Sequence, residues 1–321
     1  MTRRSFCILG GTGFVGHHLA ARLAREGHDI RILTRYREAH RDLLVLPTVK
    51  LVEADVHDPL TLRAQFGGCD TVVNLVGIVN ERGRDGRGFE LAHTRLAESV
   101  VSACVDAGVE RLLHMSALKA DPVGPSFYLR TKGKAELAVQ EGAGDRLAWT
   151  IFRPSVIFGP GDSFFCRFAG LLRMTPIAFP LACPEARFAP IYVGDVVTAF
   201  QRALDDKRTF GERYDLCGPK AYRFRELVDY TARLIGAKRR VIPLGDRLSR
   251  LQAGIMEYVP GKPFSRDNYL STRSDSVCAG SFPEVFGFEP QPVESIVPTY
   301  ITWESRRAPY NRIRRDARHT P

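Results

Sequence analysis

Phe6-Cys7-Ile8-Leu9-Gly10-Gly11-Thr12-Gly13-Phe14-Val15-Gly16 is the stretch on which the fold turns. Four apolar residues in succession read as a buried strand. Glycines follow without a break, and Val15, Leu19 and Leu23 then recur at helical spacing as far as Gly27, which is placed to end a helix. The glycines satisfy GxGxxG counted from Gly11 and GxxGxxG counted from Gly10. A strand, a glycine turn and a helix in that order can hold pyrophosphate. Glycine lets the backbone come close to the phosphates, and free N–H groups with the helix dipole favour the anion. Gly10, Gly11, Thr12, Gly13, Phe14, Val15 and Gly16 are therefore candidates for holding a dinucleotide.

Outward from that turn, apolar runs over residues 29–33, 51–54, 72–76, 112–115 and 147–152 alternate with helical patterns. One pattern opens at Asp58-Pro59, one covers 90–107 and stops at Gly108, and one covers 128–140. Six strands with crossover helices predict an α/β fold, a Rossmann-type doubly wound parallel sheet. After Arg153-Pro154 the rhythm changes. Residues 191–193 read as a returning strand, Asp195 as the N-cap of a helix to about 204, and 220–321 as two or three amphipathic helices. One of these carries Leu244, Leu248, Leu251, Ile255 and Val259 on a single face. The predicted division is a nucleotide-binding domain over 1–160, with a returning segment at about 190–218. Residues 161–189 and 219–321 then form a smaller α/β C-terminal domain for substrate or partner, with a basic tail.

The second strand ends Leu33-Thr34-Arg35, where NAD-specific folds carry an acidic residue for the ribose 2′-hydroxyl. An arginine can instead clasp a 2′-phosphate, so NADP(H) is favoured over NAD(H). Asp55 and Val56 follow the third strand where adenine would lie. Asn74, Leu75, Val76 and Gly77 follow the fourth, where the chain would pass under the nicotinamide ribose. Ser116 follows the fifth strand, and Tyr128 with Lys132 forms a YxxxK pair whose side chains share one helix face. An ammonium beside a phenol is expected to lower its pKa. A tyrosine so poised would exchange a proton with a carbonyl or alcohol while nicotinamide exchanges hydride, with Ser116 holding the substrate oxygen, Lys132 also bonding the ribose, and Tyr128 and Lys132 both counted among the cofactor contacts.

Hydrophobic residues make up 44% and charged residues 26% of the 321, which excludes a disordered chain. The net charge of +10 implies an anionic partner. Arg306, Arg307, Arg312, Arg314, Arg315 and Arg318 crowd the C-terminus, either as a solvated tail or as a contact with an anionic membrane surface or acidic protein. No nucleic-acid-binding signature accompanies them, so nucleic acid is excluded. Seven scattered cysteines without a CxxC pair imply no metal site, and a reducing compartment rather than a disulfide framework. With no signal peptide and no uncharged run long enough to span a bilayer, a cytoplasmic protein is expected, with a peripheral place on the inner membrane as an option. The sequence is silent on oligomeric state.

Arg153-Pro154-Ser155-Val156-Ile157-Phe158-Gly159-Pro160-Gly161 and Tyr192-Val193-Gly194-Asp195-Val196 resemble segments that close the cofactor site in extended short-chain dehydrogenases/reductases. The likeness adds Pro154 and Val156 to the cofactor candidates. Phe89-Glu90, His93, Ala107-Gly108-Val109-Glu110-Arg111, Ser116-Ala117-Leu118, Tyr128-Leu129-Arg130-Thr131-Lys132 and Pro263-Phe264-Ser265-Arg266-Asp267-Asn268 are similar to an atypical group of that superfamily. It is the group around the NADPH-binding alpha-subcomplex subunit nine of respiratory complex I. The likeness covers residues 5 to about 295 and is dense only to 200. It implies a tightly held NADP(H), an uncertain reaction and a link to quinones.

The leading expectation is NADP(H)-dependent oxidation or reduction of a carbonyl or alcohol on an apolar, quinone-related molecule. The alternative is a non-catalytic, NADPH-stabilised accessory protein of a membrane-associated respiratory or quinone-biosynthesis complex. A sugar-nucleotide epimerase or dehydratase ranks last. His93 stands where epimerases have an asparagine, either as a packed or capping residue or as a proton relay. The aromatic stretch 164–181 reads as core or as an apolar substrate wall, with Arg167, Arg173 and Arg187 beside it able to flank a membrane.

Overall fold

The computed structural model describes residues 3–175, 177–259 and 262–301. The first half runs β1 (Ser5–Leu9), α1 (Phe14–Arg25), β2 (Asp29–Thr34), β3 (Val49–Glu53), α2 (Pro59–Phe66), β4 (Thr71–Asn74), α3 (Arg87–Phe89), α4 (Leu96–Ala107), β5 (Arg111–Met115), α5 (Phe127–Ala143) and β6 (Ala148–Pro154). A 3-10 segment, Glu38–Val45, joins β2 to β3, and a π-helical turn, Glu90–Arg95, joins α3 to α4. Beyond β6 come β7 (Ile157–Phe158), α6 (Phe165–Met174), β8 (Ala178–Leu181), β9 (Arg187–Phe188), β10 (Ile191–Tyr192), α7 (Val193–Arg202) and β11 (Glu212–Leu216). They are followed by β12 (Tyr222–Arg223), α8 (Phe224–Leu234), β13 (Arg240–Pro243), α9 (Asp246–Met256), α10 (Arg266–Thr272) and a helical stretch at 293–301.

Seven strands form one sheet in the order β11-β6-β5-β4-β1-β2-β3, and every pairing in it is parallel. Because crossover helices cover both faces, the central strands are buried along their whole length: all four residues of β4 and all five of β5 are buried, the polar Thr71, Asn74, Arg111 and His114 among them. One core layer packs α1 and α7 against the sheet, with Phe152 stacked on Phe200 at 4.0 Å. The other packs α2, α4 and α5 on the opposite face. The strand order reverses between β1 and β4. Ligands bind such sheets at this switch point, beyond the carboxyl ends of the strands.

The expected doubly wound sheet is present, with two differences. Residues 191–192 do not return to the main sheet but pair with β7. The seventh strand is β11, whose polar edge residues hid it from the hydrophobic pattern. Asp195 is not an N-cap: α7 starts at Val193, and Asp195 in its first turn accepts the Gln291 N–H. Residues after β6 gather a second core in which Phe164, Phe165, Phe168, Phe188 and Phe224 interlock edge to face. Most of the aromatic stretch 164–181 is thus packing rather than substrate wall.

The expectation of unpaired cysteines also fails. Cys217, just past β11, is disulfide-bonded to Cys278, a pairing across 61 residues that spacing alone does not encode. The arginine-rich tail lies outside the described residues. No described helix is long and apolar enough to cross a membrane.

Candidate active site

The turn after β1 carries the residues that could receive an anion. Gly13 occupies the N-cap of α1 with ordinary extended angles, and no side chain caps the helix, so its first-turn N–H groups are left to a ligand. Gly16 is fixed by packing. A Cβ there would sit 2.5 Å from Gly10 O, Gly11 Cα and Gly11 O, all backbone atoms, so the helix can lie on the turn only without a side chain. His17 Nδ1 meets Gly13 O at 2.9 Å, tying the helix start to the turn from the other side.

The other cofactor candidates line up along the same edge. Arg35 follows β2, is exposed, and makes no hydrogen bond or ion pair among the described residues. Asp55 follows β3 and accepts the His57 N–H, while Val56 leans on the core. Asn74 is committed to structure. Its Oδ1 accepts the Val76 N–H and its Nδ2 faces His114 Nδ1 at 3.3 Å, shaping the turn that carries Leu75, Val76 and Gly77. Pro154 closes β6, and Val156 follows in a loop pinned by Ser155, whose hydroxyl donates to Ser276 O at 2.7 Å.

Tyr128 and Lys132 both reach this edge from α5, as the YxxxK spacing requires. The Lys132 ammonium is buried and donates to Met115 O (3.0 Å) and Val76 O (3.3 Å), bridging β5 to the turn after β4. Burial lowers its pKa to about 8, against a smaller raising effect of Glu136. Gly77 makes room for it: a Cβ there would stand 3.1 Å from Nζ. The expected lowering of the Tyr128 pKa is reversed. Burial, and then the nearby Asp267 carboxylate, push the phenol up to about 12. Lys132 gives two of its three donors to carbonyls, and in this state Tyr128 holds its proton firmly.

Ser116 departs from its expected role. It is buried and donates its one proton to Glu136 Oε1 at 2.5 Å, while Glu136 is also clamped by Arg153 Nε at 2.8 and 2.9 Å. The serine anchors a buried ion pair beneath the site and has no proton left to offer a substrate.

His93 resolves as a capping residue. Nε2 accepts the Ile78 N–H at 3.1 Å, so the proton is on Nδ1, which donates to Thr131 Oγ1 at 2.9 Å. Burial, reinforced by the Lys132 charge, lowers its pKa to about 2, which keeps it neutral. Its ring lies edge-on to Tyr128, with centroids 5.6 Å apart. The π-helical turn aims it there, and such turns recur at functional sites.

Sequence reasoning missed two supports. Asp267 of α10 is buried and accepts the N–H groups of Phe127 (2.6 Å) and Tyr128 (3.1 Å), holding the start of α5 from the second core. Ser126 N-caps the same helix through the Leu129 N–H. A serine before a YxxxK helix is a readable cap; an aspartate 139 residues from Tyr128 is not.

Residues 10–161 match the family described as NAD(P)H-binding, and residues 117–214 match the 3-beta hydroxysteroid dehydrogenase/isomerase family. The mitochondrial NADH-ubiquinone oxidoreductase 40 kDa subunit of Neurospora crassa is 27% identical over 252 residues, covering 78% of this chain and 65% of that protein. The chain thus spans just under two thirds of the length of the first mitochondrial subunits it matches. Ceramide reductase of Caulobacter vibrioides is 30% identical over 252 residues, covering 74% of this chain and 73% of that protein. Among solved structures, MoeE5 in complex with UDP-glucose and NAD superposes with a TM-score of 0.73 at 20% identity, over 94% of this chain and 99% of that one. That last likeness speaks for the fold alone.

Proposed function

The chain belongs to the NAD(P)H-binding extended short-chain dehydrogenases/reductases, and from that premise we propose that it uses NADP(H) to interconvert a carbonyl and an alcohol on an apolar, lipid-like small molecule. The observation that carries the reading is the partly buried Tyr128, held from one side by Asp267 and lying four residues before a buried Lys132 at the switch-point edge of the sheet.

The residues present suit the nucleotide. The uncapped start of α1 offers N–H groups to the pyrophosphate. The free Arg35 guanidinium would take the 2′-phosphate, which favours NADP(H) over NAD(H). Val56 would pack against the adenine, and the turn Asn74–Gly77 with Lys132 would support the nicotinamide ribose. Pro154 and Val156 would close the far side. Bound there, the nicotinamide supplies or accepts the hydride.

This chain's own part is the proton. In the reductive direction Tyr128 gives its phenolic hydrogen to the substrate oxygen as the carbonyl carbon is reduced, and solvent restores it. A phenol held at about 12 is protonated at neutral pH, the state that reduction needs, but it is a weaker acid than an ordinary tyrosine. A cation nearer the phenol would stabilise its anion and ease the proton transfer in both directions. Lys132 is the one placed to do that if bound nucleotide draws it from its carbonyls. Ser116 would meet the substrate oxygen only by giving up its bond to Glu136. The apolar substrate class is supported by the ceramide reductase likeness and by the ubiquinone-linked fungal subunit.

The test is purified protein with NADPH, screened against long-chain ketones and prenylated quinones by loss of NADPH absorbance. Tyr128→Phe is expected to lower turnover by about 10²–10⁴-fold while NADPH binds within about twofold of wild type. Turnover unchanged by Tyr128→Phe would remove the proposed donor. NADPH bound tightly with no turnover on any carbonyl would favour the accessory-protein reading instead, in keeping with mitochondrial relatives that are named as subunits of a larger oxidoreductase.

A further inference from the structure

Helix α9 is built the wrong way round for a core helix. Its small residues, Ser249 and Ala253, face inward, where Ser249 Oγ accepts the Cys183 N–H. Its large apolar residues face out: Leu248, Leu251 and Ile255 are 54%, 58% and 57% exposed. Tyr258 follows just beyond the helix, 70% exposed. The sequence singled out this face as apolar, and the fold leaves it uncovered by any described residue.

The elements beside α9 carry exposed apolar residues of their own. Gln252 Nε2 donates to Pro180 O of β8, and β13 pairs with β8 along its length. Met174 and Ile177, just before β8, are 82% and 79% exposed. Scattered apolar residues are normal on a surface, but Leu251, Ile255 and Tyr258 lining one cleft with Arg247 and Arg250 are grouped in the way that marks an interface.

Charge names the partner. Arg240, Arg247 and Arg250 interleave with the apolar residues, and none has a carboxylate partner among the described residues. The acidic groups nearby are already engaged: Asp246 accepts the Tyr269 hydroxyl, and Glu257 accepts the Arg266 backbone N–H and stands 3.8 Å from its guanidinium. A short helix with leucine and isoleucine on its outer face and arginines at its flanks suits the headgroup level of an anionic bilayer, with the apolar side chains in the acyl boundary and the guanidiniums on phosphates.

We propose that this face, α9 with the ends of β8 and β13, docks the protein on an anionic lipid surface. The surface stands whether or not the chain turns over a substrate. Its position also suits an apolar one. Helix α9 packs on α10, whose Asp267 holds Tyr128, and Arg84 from the loop after β4 lies over the Tyr258 ring at 4.0 Å.

The experiment is co-sedimentation of the full chain with phosphatidylcholine vesicles and with mixed phosphatidylcholine–phosphatidylglycerol vesicles, without nucleotide. Wild type is expected on the mixed vesicles and not on the neutral ones, with binding that weakens as salt rises. Leu251→Asp/Ile255→Asp should lose at least tenfold in vesicle affinity, and Arg247→Glu/Arg250→Glu should lose the preference for anionic lipid. The substituted side chains are exposed, so melting temperatures should hold. Arg314→Glu/Arg315→Glu serves as the control for the tail and should bind as wild type. The proposal is overturned if wild type ignores anionic vesicles or if the apolar variant binds them unchanged. It is equally overturned if the tail variant alone loses binding, or if the apolar variant merely abolishes a dimer of a wild type that does not bind vesicles.

Discussion

Replacing Arg35 with alanine isolates one guanidinium. Arg35 is exposed at the end of β2 and bonds to no described residue, so Arg35→Ala should leave the melting temperature within about a degree. What it removes is a charge-assisted contact with a 2′-phosphate. Hydrogen bonds to charged groups contribute about 1.5–3 kcal/mol, and solvent screening at an exposed site argues for the lower end, about 1–2 kcal/mol. At about 1.4 kcal/mol per tenfold, that is a ~5–30-fold weaker Kd for NADPH. NADH lacks the phosphate and should bind within about twofold of its wild-type affinity. The contrast should shrink as salt is raised, since the contact is exposed. Calorimetric titration of both dinucleotides into wild type and variant measures all of this. If NADPH and NADH weaken together, or neither changes, Arg35 does not read the extra phosphate and the NADP(H) assignment loses its basis.

Two further outcomes follow from the geometry. Gly16→Ala forces a methyl against three backbone atoms at 2.5 Å that have no room to yield, so it should cost about 1–3 kcal/mol of stability in a denaturant melt as well as dinucleotide affinity. Lys132 is held at about 8, below the ordinary lysine value of 10.5, so its ammonium is present below pH 8 and is lost above it. Cofactor affinity that depends on the ammonium should therefore fall as pH rises through about 8. Its contribution to the stability of the free protein should rise between about 8 and 10.5, because the unfolded chain binds more protons in that window. Lys132→Met should flatten both profiles.

The sheet was legible because it is parallel. Both faces are covered, six of the seven strands carry an apolar run, and the glycine turn marks where the first strand ends. β11 escaped because its exposed start, Glu212 and Arg213, breaks the run. The positions of Tyr128 and Lys132 were legible from helical spacing alone. Their electrostatics were not, because a pKa depends on burial and on partners remote in sequence. Asp267 reaches Tyr128 from α10, far along the chain, and Met115 O and Val76 O take two of the Lys132 donors. Ser116 read as a substrate ligand because a serine at a strand end looks free; Glu136, twenty residues on, was the hidden partner. His93 was ambiguous until the π-helical turn set its direction. Disulfide pairing and the outward face of α9 are properties of tertiary packing, which periodicity does not report.

The central claim is that the open start of α1 holds a dinucleotide, and Gly13→Asp tests it most directly. Gly13 has the extended angles of a good N-cap, with φ −83° and ψ 179°, and a Cβ there meets only Gly10 O, at 3.2 Å. An aspartate should cap the helix with its own carboxylate, leaving the melting temperature unchanged or raised, while occupying the anion site with negative charge. The account predicts that NADPH raises the melting temperature of wild type and does nothing for Gly13→Asp. A wild type indifferent to both NADPH and NADH, or a variant protected by NADPH as well as wild type is, would contradict it.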